Sequence, residues 1–312
     1  MTKKIWIALL FLLGLLYFIW PAKSGKILIK PDTSSAVIAR NLKDQGIIRS
    51  KLAFLFLTRL TNTSQKLKSG YYLFSGDSLL NVWWKIYRGN VSTLKIPIPE
   101  GLTSQEIAHR LNQYNLKNFD SGTFLNLVRK HNLEGQLFPA TYNFIPTIST
   151  AELLATLTNQ FQLNFAPITK KKNCRLTNNE ILILASIVEK ETADPQERRI
   201  IADIFRRRLE KKIPLESCAT VIYALKQKEP NKKINHLTYK DTRIISPYNT
   251  YRHPGLPPAP ICNPGLDSVN AVLNPEKNNY WYFFVSPSGS HIFSRTYKEH
   301  QQSQKRLKAT SR

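Results

Sequence analysis

The stretch from Thr177 to Pro195, TNNEILILASIVEKETADP, limits what this chain can fold into more than any other part of it. Thr177 with Glu180 three residues on forms a capping box, and Leu176 and Ile181 are placed to close a hydrophobic staple, so a helix starts here. Its body, Ile181–Val188, is apolar on every side and broken only by Ser186. Such a helix must be buried all round. Burying it takes a sizeable core, and 312 residues with 42% hydrophobic content supply enough for two domains. Asp194, Pro195 and Glu197 then read as an N-cap, an N1 proline and a capping-box acid, so a second helix follows at once.

Glu189, Lys190 and Glu191 lie where the buried helix ends. Apolar surroundings raise a carboxyl pKa and can keep the group protonated near neutral pH, as a general acid requires. The alternative is a helix end that simply delivers its carboxylates to solvent, and spacing alone leaves both readings open. Residues two apart lie on nearly opposite helix faces, so Glu189 and Glu191 are not expected to act as a facing pair.

Lys and Arg number 45 against 21 for Asp and Glu, a formal charge of +24, which favours anionic partners such as phospholipid head groups, wall polymers or nucleic acid. The cysteines, Cys174, Cys218 and Cys262, show no CxxC spacing and no histidine at ligand spacing. A zinc site is therefore not expected. Three free thiols are the first reading, with a Cys218–Cys262 bridge as the alternative in an oxidising compartment.

After MTKK the chain runs from Ile5 to Trp20 with no charged or strongly polar residue and then meets Pro21. Extended to Ala22, this run is just long enough to span a bilayer, which takes about 17–25 residues. A cleaved signal peptide is the competitor, but Ala22-Lys23-Ser24 makes a poor cleavage site. An uncleaved signal anchor is expected over 5–22. Lys3 and Lys4 favour a cytoplasmic N-terminal tail (1–4), although Lys23 and Lys26 weaken that bias. The rest of the chain would lie on the far side of the membrane.

Two segments repeat a pattern. ILIKPDTSSAVIARNL (27–42) and IPIPEGLTSQEIAHRL (96–111) each hold an apolar strand, a proline followed by an acid, a helix-start residue and a helical Ile-Ala…Leu run. Between them come a helical 52–60, a strand 70–74 and a helix 78–87 carrying Trp83 and Trp84. Small β-α-α-β units of this kind resemble LysM domains, which bind glycans containing N-acetylglucosamine. The aromatic residues serve equally well to close a small core.

Further on, 118–165 reads as helices around the loop LEGQLFPATYNF (133–144), in which Glu134 is either functional or a surface acid. The basic 166–173 reads as a connector. Residues 195–212 form an amphipathic helix with Ile200, Ile201, Ile204, Phe205 and Leu209 on one face and five arginines elsewhere. No helix-turn-helix, RNP or zinc-finger framework surrounds those arginines, which argues against nucleic acid. The Pro- and Gly-rich SPYNTYRHPGLPPAPICNPG (246–265) must be loop, and its Tyr248, Asn249, Thr250 and Tyr251 offer a wall suited to sugars. A helix over 266–273 and an aromatic hairpin, 280–286 with 291–294, close the fold.

Taken together, LEGQLFPATY (133–142), LASIVEKET (184–192), ERRIIADIFRRRL (197–209), ATVIYAL (219–225), 246–265 and YWYFFVSPSGSHIFSRTYKEH (280–300) resemble the MltG/YceG-like endolytic murein transglycosylases. The likeness covers nearly everything after residue 25, and the EKET and SPYNTY segments are highly specific. It implies an α+β chain in the order transmembrane helix, LysM-like glycan-binding subdomain (25–116), mixed α+β transglycosylase catalytic domain (117–305) and basic tail (306–312). It places the catalytic acid on Glu191. Tyr248, Asn249, Tyr251 and His291 become candidates for holding the glycan, with Glu189 and Thr220 in support. No metal or organic cofactor is implied, and no GxGxxG, P-loop or GxSxG occurs. The implied partners are peptidoglycan strands, the cytoplasmic (inner) membrane and, as candidates, peptidoglycan synthases, with no nucleic acid. Where the family usually has Asp after FP and Asp-Pro before TVIY, this chain has Ala140 and Cys218-Ala219. A catalytically inactive wall-binding scaffold is the alternative.

Overall fold

In the computed structural model, which describes residues 22–170, 175–229, 234 and 237–310, the chain divides by its internal contacts at Lys95/Ile96. Residues 143–148 belong with the first unit, and 96–142 with 149–312 make the second. The expected membrane segment lies outside the described residues. Among the described residues no helix is long and apolar enough to cross a membrane.

The first unit runs β1 (Gly25–Ile29), α1 (Ser35–Asp44), α2 (Lys51–Leu60), β2 (Gly70–Phe74) and α3 (Leu79–Arg88). Ser34, Ser50 and Ser78 start its three helices, each hydroxyl accepting from a backbone N–H of the first turn. β1 and β2 pair antiparallel with Ile27 opposite Tyr72. That register puts Ile27, Ile29, Tyr72 and Phe74 into one core with Ile38, Leu42, Phe54, Val82 and Ile86. The two tryptophans part company. Trp83 packs on this core and donates to Thr63 Oγ1 at 2.9 Å, whereas Trp84 is 43% exposed with the Arg88 guanidinium 4.6 Å from its ring.

β3 (Leu94–Ile98) and β4 (Ala140–Phe144) form a second two-stranded sheet, and the unit boundary falls within both strands. The repeat seen in sequence is a strand followed by a helix in each copy, β1–α1 and β3–α4 (Ser104–Leu111). Its second copy belongs mostly to the second unit. That unit continues with α5 (Ser121–Lys130), α6 (Thr150–Lys170), α7 (Asn178–Glu191), α8 (Pro195–Glu210), α9 (Cys218–Lys228), a 3-10 turn (Asp241–Arg243), α10 (Leu266–Leu273), β5 (Tyr282–Val285), β6 (His291–Ser294) and α11 (Tyr297–Thr310).

α7 is the axis of the second core. Every residue from Ile181 to Val188 is buried, and α8 and α10 pack against it. Its capping box is formed as the sequence suggests, Thr177 and Glu180 each bonding the other's backbone N–H. Ser186, the one polar residue of the run, donates to Ile183 O and accepts from Ile261 N, so it ties the proline-rich loop to the core helix.

α6 departs from expectation by continuing through Pro167 to Lys170 where a connector was predicted. Proline removes one helical hydrogen bond, but Phe165 and Thr169 are buried and Ile168 packs on the core, which holds the last turn in place. The arginines of α8 turn out to serve the fold. Arg198, Arg199, Arg206, Arg207 and Arg208 all bond groups of the chain itself, and Arg208 reaches the carbonyls of Pro214, Leu215 and Trp281.

Candidate active site

α7 ends at Glu191, and the following Thr192 is extended, so the carboxyl of Glu191 is delivered at the lip of the apolar core. Ser217 Oγ donates to Glu191 Oε1 at 2.5 Å. Burial pushes the Glu191 carboxyl up from its ordinary value, while the Ser217 hydroxyl and the His291 charge pull it back less strongly. The net effect is an acid that holds its proton longer than a free glutamate. Ser217 was not foreseen as a site residue. It occupies the N-cap position of α9 without capping the helix, because its hydroxyl is given to Glu191.

Glu197 also differs from its sequence reading. It closes no capping box with Asp194. Its carboxylate instead accepts from Thr192 Oγ1 (2.7 Å) and from the His291 backbone N–H (2.8 Å), and lies 2.7 Å from His291 Nδ1. Burial raises its pKa, but the bonds from His291 and Thr192 outweigh that and leave it below the usual carboxylate range. The ring of His291 is thereby fixed at the start of β6, and its Nε2 is buried without a hydrogen-bond partner among the described residues.

The 246–265 loop is stapled from inside. Asn249 is fully buried, its amide donating to Thr242 O and Ile244 O while its Oδ1 accepts from Tyr251 N. Thr220 is equally buried; its hydroxyl bonds Ser217 O and Thr250 Oγ1, and Thr250 Oγ1 accepts from Ser217 N. This places Tyr251 with its hydroxyl 3.1 Å from Cys218 Sγ. Cys218 and Cys262 are free thiols, and Cys174 lies outside the described residues.

Glu191, Tyr251 and His291 share one open pocket of about 760 Å³ with Cys218, Arg208, Glu216 and the aromatic side chains of Tyr239, Tyr282 and Phe283. That volume suits a sugar-sized ligand. Among its described lining residues the other carboxylate is Glu216, which pairs with Arg208 at 3.0 Å. The remaining expected residues are elsewhere. Glu189 faces away from Glu191, bonded to Arg198, Gly265 N and Ser268 Oγ. Tyr248 packs on Tyr223 and lines a different cavity of about 680 Å³. Glu134 is no free surface acid: it is half-buried and accepts from Ser104 and Asn263, and desolvation raises its pKa. Among the described residues, no three His, Cys, Asp or Glu side chains converge to hold a metal ion.

A half-buried acid with a raised pKa in the wall of an aromatic and basic pocket is equipped to act as a general acid on a polar, uncharged or anionic substrate. The profile of the YceG-like family matches residues 27–306, and the chain belongs to that family. It is 32% identical over 306 residues to an endolytic murein transglycosylase of Bacillus subtilis, covering 89% of this chain and 83% of that one. It is 30% identical over 296 residues to an endolytic murein transglycosylase of Streptococcus pneumoniae, covering 82% of this chain and 53% of the longer relative. The crystal structure of a yceG-like protein from Listeria monocytogenes superposes with a TM-score of 0.57 at 31% identity, covering 90% of this chain and 98% of the other.

Proposed function

We propose that this chain is a lytic transglycosylase that cuts the β-1,4 bond between N-acetylmuramic acid and N-acetylglucosamine in peptidoglycan. The observation that carries the reading is Glu191: a raised carboxyl in a sugar-sized pocket whose other acid is neutralised by an arginine. Two-carboxylate glycosidases need a second free acid as base or nucleophile. A lytic transglycosylase needs one. Glu191 gives its proton to the glycosidic oxygen, the C1–O bond breaks, and the muramic acid's own C6 hydroxyl closes onto C1. Glu191, now a carboxylate, takes the hydroxyl proton, so the acid is regenerated and the product is a 1,6-anhydro end. Because the nucleophile belongs to the same ring, proximity replaces an activated water.

Tyr251 and His291 line the reacting pocket. Thr220 and Asn249 act by holding Ser217 and the Tyr251 loop, Glu189 by fixing the end of α7, and Tyr248 contacts glycan beyond the scissile bond if the strand continues into the neighbouring cavity. The N-terminal apolar run supports a single-pass anchor in the cytoplasmic membrane, with the body on the wall side and the LysM-like subdomain gripping glycan. A tethered acid reaches only glycan near the bilayer, which favours endolytic cuts in nascent strands, shorter strands and work beside the synthases.

The test is digestion of purified peptidoglycan by the wild-type chain and by Glu191→Gln, with products read by mass spectrometry. Anhydro ends formed by wild type and absent with the variant support the reading. Reducing ends would make the reaction hydrolysis, and wall binding without cleavage would make the chain a scaffold.

A further inference from the structure

Two arginines at the rim of the Glu191 pocket are not used by the chemistry above. Arg243 ends the 3-10 turn, and Arg252 follows Tyr251 in the stapled loop; both are exposed, and both line the pocket. Their backbones are held together from beneath. Asn249 donates to Thr242 O and Ile244 O, on either side of Arg243, while Arg252 N donates to Asn249 O. Arg252 Nη1 reaches Arg243 O at 3.3 Å. Arg243 lies over the Tyr239 ring at 4.7 Å, so ring and guanidinium line the pocket together.

The charge around them is unbalanced. Of the two carboxyls lining this pocket, Glu216 is paired with Arg208 and Glu191 is held toward its protonated form. No carboxylate of the described lining pairs with Arg243 or Arg252. Two guanidinium groups whose backbones are tied through one buried asparagine make a cationic rim suited to an anion, and guanidinium matches carboxylate with two parallel hydrogen bonds.

We propose that Arg243 and Arg252 form a carboxylate-binding subsite at the mouth of the Glu191 pocket, and that it takes an acidic group on a peptide branch of the glycan being cut. This rests on the transglycosylase reading for its substrate, and it turns Glu191's pocket into one that distinguishes branched from bare glycan. The carboxylate is on the same molecule as the scissile bond, so the subsite orients the strand as well as holding it.

The experiment compares kcat/KM of the full chain on peptide-bearing peptidoglycan and on the same material with its carboxyl groups converted to amides, because stripping the peptides with an amidase would leave a lactyl carboxylate on each muramic acid. Wild type is expected to favour the free-acid substrate, and Arg243→Gln/Arg252→Gln to lower that ratio about tenfold through KM, since exposed charged contacts are partly screened. Arg243→Lys/Arg252→Lys, which keeps charge but loses the parallel hydrogen bonds, falls between. A ratio unchanged in the glutamine variant overturns the proposal, as does an equal loss on both substrates. A second arm needs no cleavage. Glu191→Gln chain is titrated with a soluble muramyl peptide carrying free or amidated carboxyl groups, and tighter binding of the free acid must disappear when both arginines are replaced. If wild type cuts neither glycan while that preference exists and disappears so, the catalytic reading fails and this one stands; if no preference exists, this one fails.

Discussion

Arg198 Nη2 lies 3.1 Å from Glu189 Oε1 with both side chains almost sealed from water, and Glu189 stands two residues before the pocket acid Glu191. The two glutamates of EKET thus meet opposite fates. Glu189 also accepts from Gly265 N and Ser268 Oγ, joining α7, α8 and α10 at one point. Removing one member of a buried ion pair strands the other charge and costs about 3–5 kcal/mol. Glu189→Ala and Arg198→Met are each expected to lower urea stability by that order. Glu191→Gln keeps a polar partner for Ser217 and should not. Equal losses at 189 and 191 would contradict this division.

The proton on Glu191 links stability to pH. Its folded pKa is raised, and the unfolded carboxyl titrates near an ordinary value of about 4.3. Below that value both states are protonated and the group contributes fully. As pH rises, the unfolded chain releases the proton first, so wild type loses stability until the folded pKa is passed. Glutamine has no proton to lose. The stability of Glu191→Gln relative to wild type should therefore rise from pH 4 toward pH 8; a flat difference across that range would mean that Glu191 titrates normally.

Ser217 tunes the acid in the other direction. Its hydroxyl donates to Glu191 and favours the ionised form, so Ser217→Ala should raise the Glu191 pKa further. Catalysis by the protonated form is lost as pH rises through that pKa, and the alkaline limb of kcat/KM should move to higher pH. The optimum rate should also fall about 10–100-fold, because the carboxyl loses the contact that aims it. A limb that moves to lower pH would show that Ser217 accepts rather than donates.

These residues also show where sequence reasoning reached and where it stopped. The buried character of Ile181–Val188, its capping box and the 266–273 helix were all legible, since each is written in spacing within one helix. Glu197 was legible as a helix-start acid but not as the partner of His291, because that pairing spans 94 residues. Ser217 gave no signal of its own: a serine ahead of a helix reads as a cap, and only the fold shows its hydroxyl turned to Glu191. The arginines of α8 looked like a charged face, yet they pair with Glu189, Asp203 and Glu216, and Arg199, Arg207 and Arg208 also bond carbonyls of chain segments brought in by tertiary packing.

Gly135 in the EGQLFP segment fixes how that loop meets the second core. Its φ is +85°, and a Cβ added there would stand 2.6 Å from Pro260 Cγ and 2.7 Å from Pro260 Cβ. Pro260 is buried and its ring cannot rotate away, so both the backbone and the loop opposite would have to shift. A left-handed conformation costs a non-glycine residue about 1–2 kcal/mol, and forcing atoms into a filled space costs about 1–3 kcal/mol more. Gly135→Ala is therefore expected to lose about 2–5 kcal/mol in denaturant melts. The neighbouring bonds would be strained with it, since Glu134 holds Ser104 and Asn263, and Asn263 Oδ1 accepts from Leu137 N at 2.8 Å. None of these groups lines the Glu191 pocket. Well below its melting temperature the variant should accordingly retain wild-type kcat, and a loss of rate without a loss of stability would assign this loop a part in the chemistry.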